Sequence, residues 1–233
     1  MSRRLAREIV ATARAMNAAG LNQGTSGNLS ARWRGHILIT PTGVPYDELT
    51  PEKIVRMAPD GSYAGRWLPS SEWRFHAAIL AGRPEIGAVL HAHSPHATTL
   101  ACLGRGIPAF HYMVAVAGGA DICCAGYATF GTEALAARVV AALEGRRACL
   151  MANHGMIALG ETPKAALRLA VEVEALAGQY WRALQIGQPK LLSAAEMRRV
   201  LQKFESYGQQ SRAGGGRRRG ASTRGLASAP GRP

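Results

Sequence analysis

Short apolar runs typical of β-strands alternate with longer amphipathic segments along this chain of 233 residues. HILIT, GAVLHAHS and RRACLMANHGMIALG are rich in apolar and β-branched residues and predict strands, and the last run predicts two buried strands that meet at His154-Gly155. VRMAPDGSYAG predicts a hairpin about Pro59-Asp60-Gly61. Helical segments separate these runs, so hairpins and crossovers are mixed. This mixture favours an α/β fold in which a mixed sheet is covered by helices on both faces.

Capping residues mark where most of the predicted helices begin. The candidate caps are a serine of PSSEWRFHAAILAGRP, Gly131 or Thr132, Thr162 before Pro163, and Ser193 in a capping box with Glu196. Further helices are predicted from the N-terminus to near Gly20 and from about Pro95 to Leu103. By contrast, GLNQGTSGNLSAR predicts a loop, and IPAFHYMVAVAGG predicts an extended stretch.

Positive charge is concentrated at the C-terminal end of the chain. The formal net charge is +13, and residues 208–233 contain six arginines and no carboxylate, which leaves +7 for residues 1–207. Strongly basic proteins often bind nucleic acid, but a Gly, Ser, Arg and Pro-rich segment without aromatic residues is more typical of solvated disorder. We therefore expect one folded domain over residues 1–207, a disordered tail over 208–233, and no nucleic-acid partner.

No apolar run approaches the ~20 residues that a membrane-spanning helix requires. In the cationic N-terminal segment, Leu5, Ile9, Ala13 and Met16 recur at helical spacing, which indicates an amphipathic helix rather than a signal peptide. The four cysteines form no CxxC pair and indicate free thiols rather than a disulfide framework. These features predict a soluble, cytoplasmic protein.

Three histidines predict most of a metal site. His91 and His93 lie two residues apart in a predicted strand, so their side chains project to the same side of the sheet. A third imidazole, from His154 in MANHGM, would leave one coordination position open, which is the usual pattern of catalytic zinc. Two histidines at a strand end can equally be ordinary polar residues, and the spacing by itself leaves both interpretations open.

Three segments rich in glycine and hydroxyl groups predict an anion site. Gly24-Thr25-Ser26-Gly27-Asn28 and Pro41-Thr42-Gly43 allow the backbone to approach an anion closely. In Pro69-Ser70-Ser71-Glu72, one serine can cap the following helix while the other stays available for a phosphate. Ordinary loops and caps also explain these segments. Glu72 is either a carboxylate favoured by the helix dipole or a base beside the metal.

Seven motifs, in this order, resemble the zinc-dependent class II aldolases that act on sugar phosphates. They are GLNQGTSGNLSAR, ITPTGVPYDELT, LPSSEWRFHAA, VLHAHSPH, IPAFHYMVAVAGG, YATFGTEAL and NHGMIALG, and the resemblance extends from about residue 4 to Tyr207-Gly208. It implies a three-layer α/β/α sandwich on a largely antiparallel sheet, the fold shared with the adducin head domain. It also implies reversible cleavage of a ketose 1-phosphate, such as L-fuculose 1-phosphate, to dihydroxyacetone phosphate and a small aldehyde such as L-lactaldehyde.

The resemblance also implies a role for each matching residue. The metal ligands would be His91, His93 and His154, with Glu72 as a further ligand until substrate displaces it and as the catalytic acid/base. The ion would be Zn²⁺, although imidazole also suits Mn²⁺ or Co²⁺. The phosphate cradle would comprise Thr25, Gly27, Asn28, Thr42, Gly43, Ser70 and Ser71. Tyr112, Phe130 and Tyr207 would position the aldehyde and protonate or stabilise its oxygen. The family is typically a homotetramer with sites between subunits, which allows Tyr112 to act at a neighbouring subunit's metal.

Sister activities on the same fold are the alternatives. Ribulose-phosphate 4-epimerases usually have Asp in place of Glu72 and another Asp near Tyr112, and neither is present here. Methylthioribulose-1-phosphate dehydratases and tetronate-phosphate decarboxylases share the three histidines, and the aromatic set of Tyr112, Phe130 and Tyr207 favours the aldolase over them. A non-catalytic scaffold, as in adducin, is the alternative of another class, and the intact metal ligands argue against it.

Overall fold

A seven-stranded sheet forms the centre of residues 2–204, the part of the chain that the computed structural model describes. The strands are β1 (Asn28–Trp33), β2 (His36–Ile39), β3 (Val55–Met57), β4 (Ala88–Ala92), β5 (Cys124–Ala125), β6 (Ala148–Met151) and β7 (Gly155–Gly160). They lie in the order β3-β2-β1-β4-β7-β6-β5, and every neighbouring pair is antiparallel except β5 and β6. The predicted mixed and largely antiparallel sheet is confirmed.

Helices cover both faces of this sheet. They are α1 (Arg3–Ala18), α2 (Trp73–Gly82), α3 (Pro95–Cys102), α4 (Glu133–Ala142), α5 (Pro163–Ile186) and α6 (Ala194–Phe204), and short 3₁₀ helices span Pro51–Lys53 and Tyr112–Ala117. Helices α1, α3, α5 and α6 share a hydrophobic cluster with one face of the sheet, whereas α2 and α4 share a second cluster with the other face. The three-layer α/β/α arrangement is therefore confirmed. Within residues 2–204, no helix is both long enough and apolar enough to cross a membrane.

Alternation along β4 determines which face of the sheet carries its histidine. Leu90 packs in the cluster with α1 and α5, whereas Val89 packs in the cluster with α2 and α4. Because strand side chains alternate, His91 lies on the same face as Val89 and meets Phe75 of α2, with ring centroids 5.6 Å apart. The antiparallel register with β1 places Asn28 opposite His91. Polar side chains therefore collect at one end of the sheet, on the α2 side.

One segment predicted as a loop is a strand. The predicted loop continued through GLNQGTSGNLSAR, but residues 28–33 form β1 and pair with both β2 and β4. Leu29 and Ala31 alternate with Asn28 and Ser30, and all four are buried. A buried strand is expected to carry apolar residues at these positions. Asn28 and Ser30 can replace them because both side chains are hydrogen-bonded inside the protein. Their polarity concealed the strand.

The segment IPAFHYMVAVAGG is not extended throughout, as the sequence predicted. Its first residue, Ile107, forms an isolated bridge with Ile122, but Tyr112–Ala117 is a 3₁₀ helix. Nδ1 of His111 caps this helix by accepting a hydrogen bond from the N–H of Met113. A local side-chain cap therefore overrides the apolar, strand-like composition of the segment.

Helix α2 begins later than the capping serines suggested. Its N-cap is Glu72, and Oγ of Ser70 accepts a hydrogen bond from the N–H of Glu72 at 3.3 Å. The serine thus caps the turn that precedes the helix rather than the helix itself. As a result, Glu72 occupies the N-cap position just before the first turn of α2, and its side chain is not part of the helical surface.

Three other predicted helix starts are confirmed. Side-chain oxygens of Thr132, Thr162 and Ser193 accept hydrogen bonds from the N–H groups three residues later, at 3.1–3.2 Å. The four cysteines are free thiols, as predicted. Only one bridge, between Met57 and Tyr63, forms across the predicted hairpin in the described part of the chain. The predicted domain boundary at Tyr207 and the tail 208–233 lie outside the described residues.

Gly155 begins β7 in close contact with the end of β4. A Cβ at residue 155 would collide with the carbonyl oxygen of Ala92 and approach Cδ2 of His93 to 3.0 Å. We expect Gly155→Ala to lower the free energy of unfolding by about 1–3 kcal/mol, because overpacking of a filled interior has that cost. Gly187→Ala is the matched control, since its Cβ would meet nothing within 4 Å. Chemical denaturation measures both changes, and equal losses of stability would contradict the expectation.

Candidate active site and metal centre

Four side chains from separate parts of the fold converge at one end of the sheet. Glu72 occupies the N-cap position of α2 and His91 lies in β4. His93 directly follows β4, and His154 lies in the turn between β6 and β7. One ligand atom from each residue lies within 4.8 Å of the others. The structure thus brings together the same four residues that the family resemblance implied as metal ligands.

Hydrogen bonding determines which nitrogen of His91 faces this group. Nδ1 lies 2.9 Å from the carbonyl oxygen of Met156, which can only accept, so Nδ1 donates its proton there. In the neutral ring, Nε2 therefore presents a lone pair, 2.9 Å from Nε2 of His93 and 3.2 Å from Oε2 of Glu72. The second carboxylate oxygen, Oε1, lies 3.1 Å from Nε2 of His154. Potential ligand atoms thus point at one small volume.

Burial and mutual electrostatics set the charge of these groups. Burial would raise the pKa of Glu72, but the nearby imidazoles of His91 and His154 favour the ionised carboxylate more strongly and hold that pKa well below its usual range. Burial, followed by repulsion from protonated His91 and His154, lowers the pKa of His93 to about 4. At neutral pH Glu72 is therefore a carboxylate and His93 a neutral imidazole, the forms that bind metal ions.

These donors fit a divalent metal ion. Oε1 of Glu72 is buried and accepts no hydrogen bond from any described residue, and a buried carboxylate oxygen without compensation is costly. The Nε2 lone pair of His91 also faces other acceptors, which is unfavourable unless a cation lies between them. Three imidazoles and one carboxylate suit zinc and, with the same geometry, cobalt or manganese. The four residues are therefore a candidate metal centre.

A cavity of about 360 Å³ adjoins the metal centre and collects the predicted phosphate-binding residues. Its wall includes Thr25, Gly27, Asn28, Thr42, Gly43, Ser70 and Ser71, together with Glu72, His93, His154 and Phe130. His91 is fully buried behind this wall. The predicted phosphate cradle and the metal centre therefore share one cavity.

The cradle side of the cavity offers hydroxyl and backbone groups rather than cationic side chains. Among the described residues that line the cavity, none is lysine or arginine. Gly27 has a φ of 74°, a conformation that favours glycine, and a Cβ there would collide with the side chain of Asn22. Oδ1 of Asn22 in turn accepts a hydrogen bond from the N–H of His93 at 3.1 Å. The cradle loop is thus tied to the metal centre through Asn22.

Asn28 uses its side chain differently from the rest of the cradle. Its Nδ2 donates to Oε2 of Glu72 at 2.9 Å, and its Oδ1 accepts from Nε2 of His76 at 2.5 Å. Both polar groups of the side chain are therefore engaged behind the cavity. Nδ2 carries a second hydrogen, however, so the side chain can bind Glu72 and still offer a donor to a phosphate.

The three aromatic residues predicted to bind the aldehyde have different locations. Phe130 lines the cavity and is 64% exposed. Tyr112, which is 48% exposed, lines a separate groove with His111 and residues of α6. Tyr207 lies outside the described residues. Within one subunit, the described chain therefore brings Phe130 but not Tyr112 to the metal centre.

Several residues at the site were not identified from the sequence. They are Tyr127, Ala128 and Asn153 on the cavity wall, and Asn22, Ser30 and His76 behind it. One local signal was available, because His76 follows Glu72 by four residues, a spacing that places two side chains on one side of a helix. Tyr127 and Asn153 are the first residues of the motifs YATFGTEAL and NHGMIALG, but neither carries a pattern of its own.

The chain is similar to proteins of one family. The sequence model of the family described as Class II Aldolase and Adducin N-terminal domain matches residues 7–181. A 5-methylthioribulose-1-phosphate/5-deoxyribulose-1-phosphate aldolase of Rhodospirillum rubrum is 57% identical over 203 residues, which cover 87% of this chain and 92% of the relative. An L-fuculose phosphate aldolase of Escherichia coli is 49% identical over 206 residues, which cover 88% of this chain and 96% of the relative. A solved structure of L-fuculose 1-phosphate aldolase has a TM-score of 0.85 and 40% identity, and it covers 88% of this chain and 98% of its own.

Removal of one imidazole tests the metal centre. We expect His93→Ala to lose most of its bound divalent metal on desalting, whereas the unaltered protein keeps about one ion per chain, because each ligand lost weakens the chelate. His36→Ala is the control, since His36 pairs with Trp33 at the opposite end of β1. Elemental analysis measures the metal content. Equal retention by the two variants would exclude His93 as a ligand.

Proposed function

Because this chain belongs to the class II aldolase and adducin N-terminal domain family and is a lyase of that family, we propose that it reversibly cleaves a ketose 1-phosphate to dihydroxyacetone phosphate and a small aldehyde. One observation carries this proposal: a single cavity contains both the metal centre and the hydroxyl-rich cradle. The cradle suits the phosphate of the three-carbon half of the substrate. The metal centre then lies beside the carbons that react.

Zinc is the ion that we propose for the four ligands, and manganese or cobalt would suit the same donors. When bound, the ion supplies Lewis acidity, which stabilises negative charge that develops on the oxygens of the three-carbon half. The bond from Nδ1 of His91 to the carbonyl of Met156 keeps the ring directed at the centre. Zinc is thus supported by the donor set and by the metal dependence of the family.

The cradle binds and orients the phosphate in this proposal. Thr25, Thr42 and Ser71 are exposed on the cavity wall, so their hydroxyl groups can reach a ligand. With no cationic side chain on the described wall, directional hydrogen bonds rather than a strong positive charge would select the phosphate. Binding the distant phosphate fixes the reacting carbons beside Glu72, so remote binding energy is used for alignment.

Glu72 is the proposed acid/base. Its Oε2 is held by Asn28, whereas its Oε1 accepts no hydrogen bond from the described residues and can take up a proton. In the synthetic direction, Glu72 would remove a proton from the hydroxymethyl carbon of dihydroxyacetone phosphate. In cleavage it returns a proton to the same carbon. The lowered pKa of Glu72 keeps it ionised, which is the form that a general base requires.

Aromatic residues form the aldehyde end of the site in this proposal. Phe130 and Tyr127 lie on the cavity wall and would contact the aldehyde. We propose that Tyr112 reaches the site of a neighbouring subunit in a homotetramer, because in its own subunit it lines another groove. Tyr112 or Tyr207 would give a proton to the aldehyde oxygen in synthesis and take it back in cleavage.

The names of the relatives suggest two kinds of substrate. A 5-deoxyribulose 1-phosphate would release acetaldehyde, and its methylthio derivative would release methylthioacetaldehyde, as the name of the 57% identical relative suggests. L-Fuculose 1-phosphate would release L-lactaldehyde, as the name of the 49% identical relative suggests. All of these substrates share the phosphate-bearing three-carbon half, and this is the half that the cradle and the metal centre would bind.

A substrate panel tests the proposed reaction. We expect release of dihydroxyacetone phosphate from at least one of 5-deoxyribulose 1-phosphate, 5-methylthioribulose 1-phosphate and L-fuculose 1-phosphate, with the largest kcat/KM identifying the preferred aldehyde. A chelator should abolish the release, and added Zn²⁺ should restore it, because the reaction depends on the metal centre. Chromatography identifies both products. Dehydration, decarboxylation or epimerisation in place of cleavage would contradict the proposal and identify a sister activity.

Glu72→Gln separates proton transfer from metal binding. We expect the variant to keep most of its metal, because the three imidazoles remain, and to exchange the hydroxymethyl proton of dihydroxyacetone phosphate with solvent about 10²–10⁴-fold more slowly. Proton NMR in deuterated buffer measures the exchange. Glu85→Gln, a substitution at an exposed carboxylate, is the control. Normal exchange in Glu72→Gln would rule out Glu72 as the base.

A further inference from the structure

A chain of buried polar side chains leads from Glu72 into the core. Asn28 and Ser30 lie two residues apart on β1, and His76 faces them from α2. Ser30 and His76 are fully buried, and Asn28 is 4% exposed. Polar groups at such positions cost stability unless they are hydrogen-bonded, so three of them in succession require an explanation.

The chemistry of each group fixes the direction of every hydrogen bond in the chain. An ionised carboxylate only accepts, so Oε2 of Glu72 receives a hydrogen from Nδ2 of Asn28, 2.9 Å away. The other end of the carboxamide, Oδ1, then accepts from Nε2 of His76 at 2.5 Å, so this nitrogen carries the proton. Nδ1 of His76 is left as an acceptor, and the hydroxyl of Ser30 donates to it at 2.7 Å.

The charge and the packing of the His76 ring favour a single set of hydrogen bonds to Asn28 and Ser30. Burial, followed by the positive charge of protonated His91, lowers the pKa of His76 to about 3, so the ring is neutral. A neutral imidazole has one donor and one acceptor, and the chain uses both. The ring also stacks on Phe75, with centroids 4.7 Å apart and planes inclined by 26°. Its position and its tautomer are therefore both fixed.

We propose that His76 is a positioning residue for the reaction: through the carboxamide of Asn28 it holds Oε2 of Glu72 and leaves Oε1 facing the metal centre. The inference rests on the proposed function for the role of Glu72 as acid/base. It assigns a task to a histidine that touches neither the cavity nor the ligand atoms. It also assigns one hydrogen of the Asn28 carboxamide to Glu72.

Loss of the donor at residue 76 has a defined consequence. Without it, the carboxamide of Asn28 can rotate and present Oδ1 to Glu72, which places two acceptors against each other. The carboxylate would then turn away from Asn28, and both oxygens would compete for the metal centre. Metal affinity and the rate of proton transfer should therefore fall together. The cradle, and with it substrate binding, should change little.

Two amide substitutions form a matched pair for the test. Glutamine places its side-chain N–H near the position of Nε2 and keeps the donor to Asn28, whereas asparagine reaches only the position of Nδ1 and keeps the contact to Ser30 alone. Both are uncharged, but asparagine is one methylene smaller than glutamine and leaves a larger cavity at this buried position, so their packing must be compared directly. Thermal unfolding of both variants makes that comparison.

We expect His76→Asn to lower kcat about 10–100-fold with KM nearly unchanged, and to weaken metal binding by a similar factor, because losses of this size follow removal of groups that orient metal ligands. His76→Gln should recover most of both losses. Chelator competition measures metal affinity in the absence of substrate. If the two variants lose activity and metal affinity equally, the role of His76 is packing and the proposal is overturned.

The tautomer of His76 gives a second readout that is independent of activity. In ¹⁵N-labelled unaltered protein, long-range ¹⁵N–¹H correlation should show His76 with a protonated Nε2 and a bare Nδ1, and the spectrum of His76→Gln identifies the signal. A protonated Nδ1 or an imidazolium would overturn the proposal. If no ketose phosphate is cleaved while the tautomer and metal affinities are as expected, the proposed function fails and the hydrogen-bonded chain stands.

Discussion

A buried, ionised carboxylate determines how this end of the sheet is arranged. Glu72 is 7% exposed, and a charge in such surroundings costs several kcal/mol unless partners compensate it. Asn28 compensates one oxygen, and the other faces the histidines. Those partners come from β1, β4 and the turn before β7, far apart along the chain. A shift of any one element would leave the charge unpaired, so the elements are constrained together.

The same backbone features that build the metal centre also build the phosphate cradle. Residues 70–72 form one tight turn in which Oγ of Ser70 accepts from the N–H of Glu72, so a cradle hydroxyl and a metal ligand are adjacent. Asn22 makes the equivalent link on the other side, because it fills the space beside Gly27 and binds the N–H of His93. The proposed phosphate cradle and the candidate metal centre therefore cannot move independently. The fold fixes their separation, which suits the proposed binding of one substrate across both.

Local signals in the sequence were sufficient for most of the strands, most of the helices and the histidine pair. Apolar runs, caps and the two-residue spacing of His91 and His93 depend only on near neighbours. The prediction that His154 and Glu72 join that pair in one metal site came from the family resemblance, which depends on the order of the motifs. Strand β1 was missed because Ser30 has its partner, His76, 46 residues away, and no local pattern reveals such a pairing. The 3₁₀ helix that contains Tyr112 was missed for a different reason, because a side-chain cap from His111 rather than periodicity sets its conformation.

The two ends of the cavity obey different constraints, and this difference bears on substrate choice. The metal and cradle end is tied to buried hydrogen bonds, so a change there affects folding as well as chemistry. The opposite wall carries Tyr127 and Phe130, which are 58% and 64% exposed and which the core does not require. Exposed positions tolerate substitution at little cost in stability. In the proposed reaction, relatives whose substrates have the same three-carbon half can therefore accept different aldehydes through changes in the exposed wall. The buried end would keep the same bond-breaking chemistry.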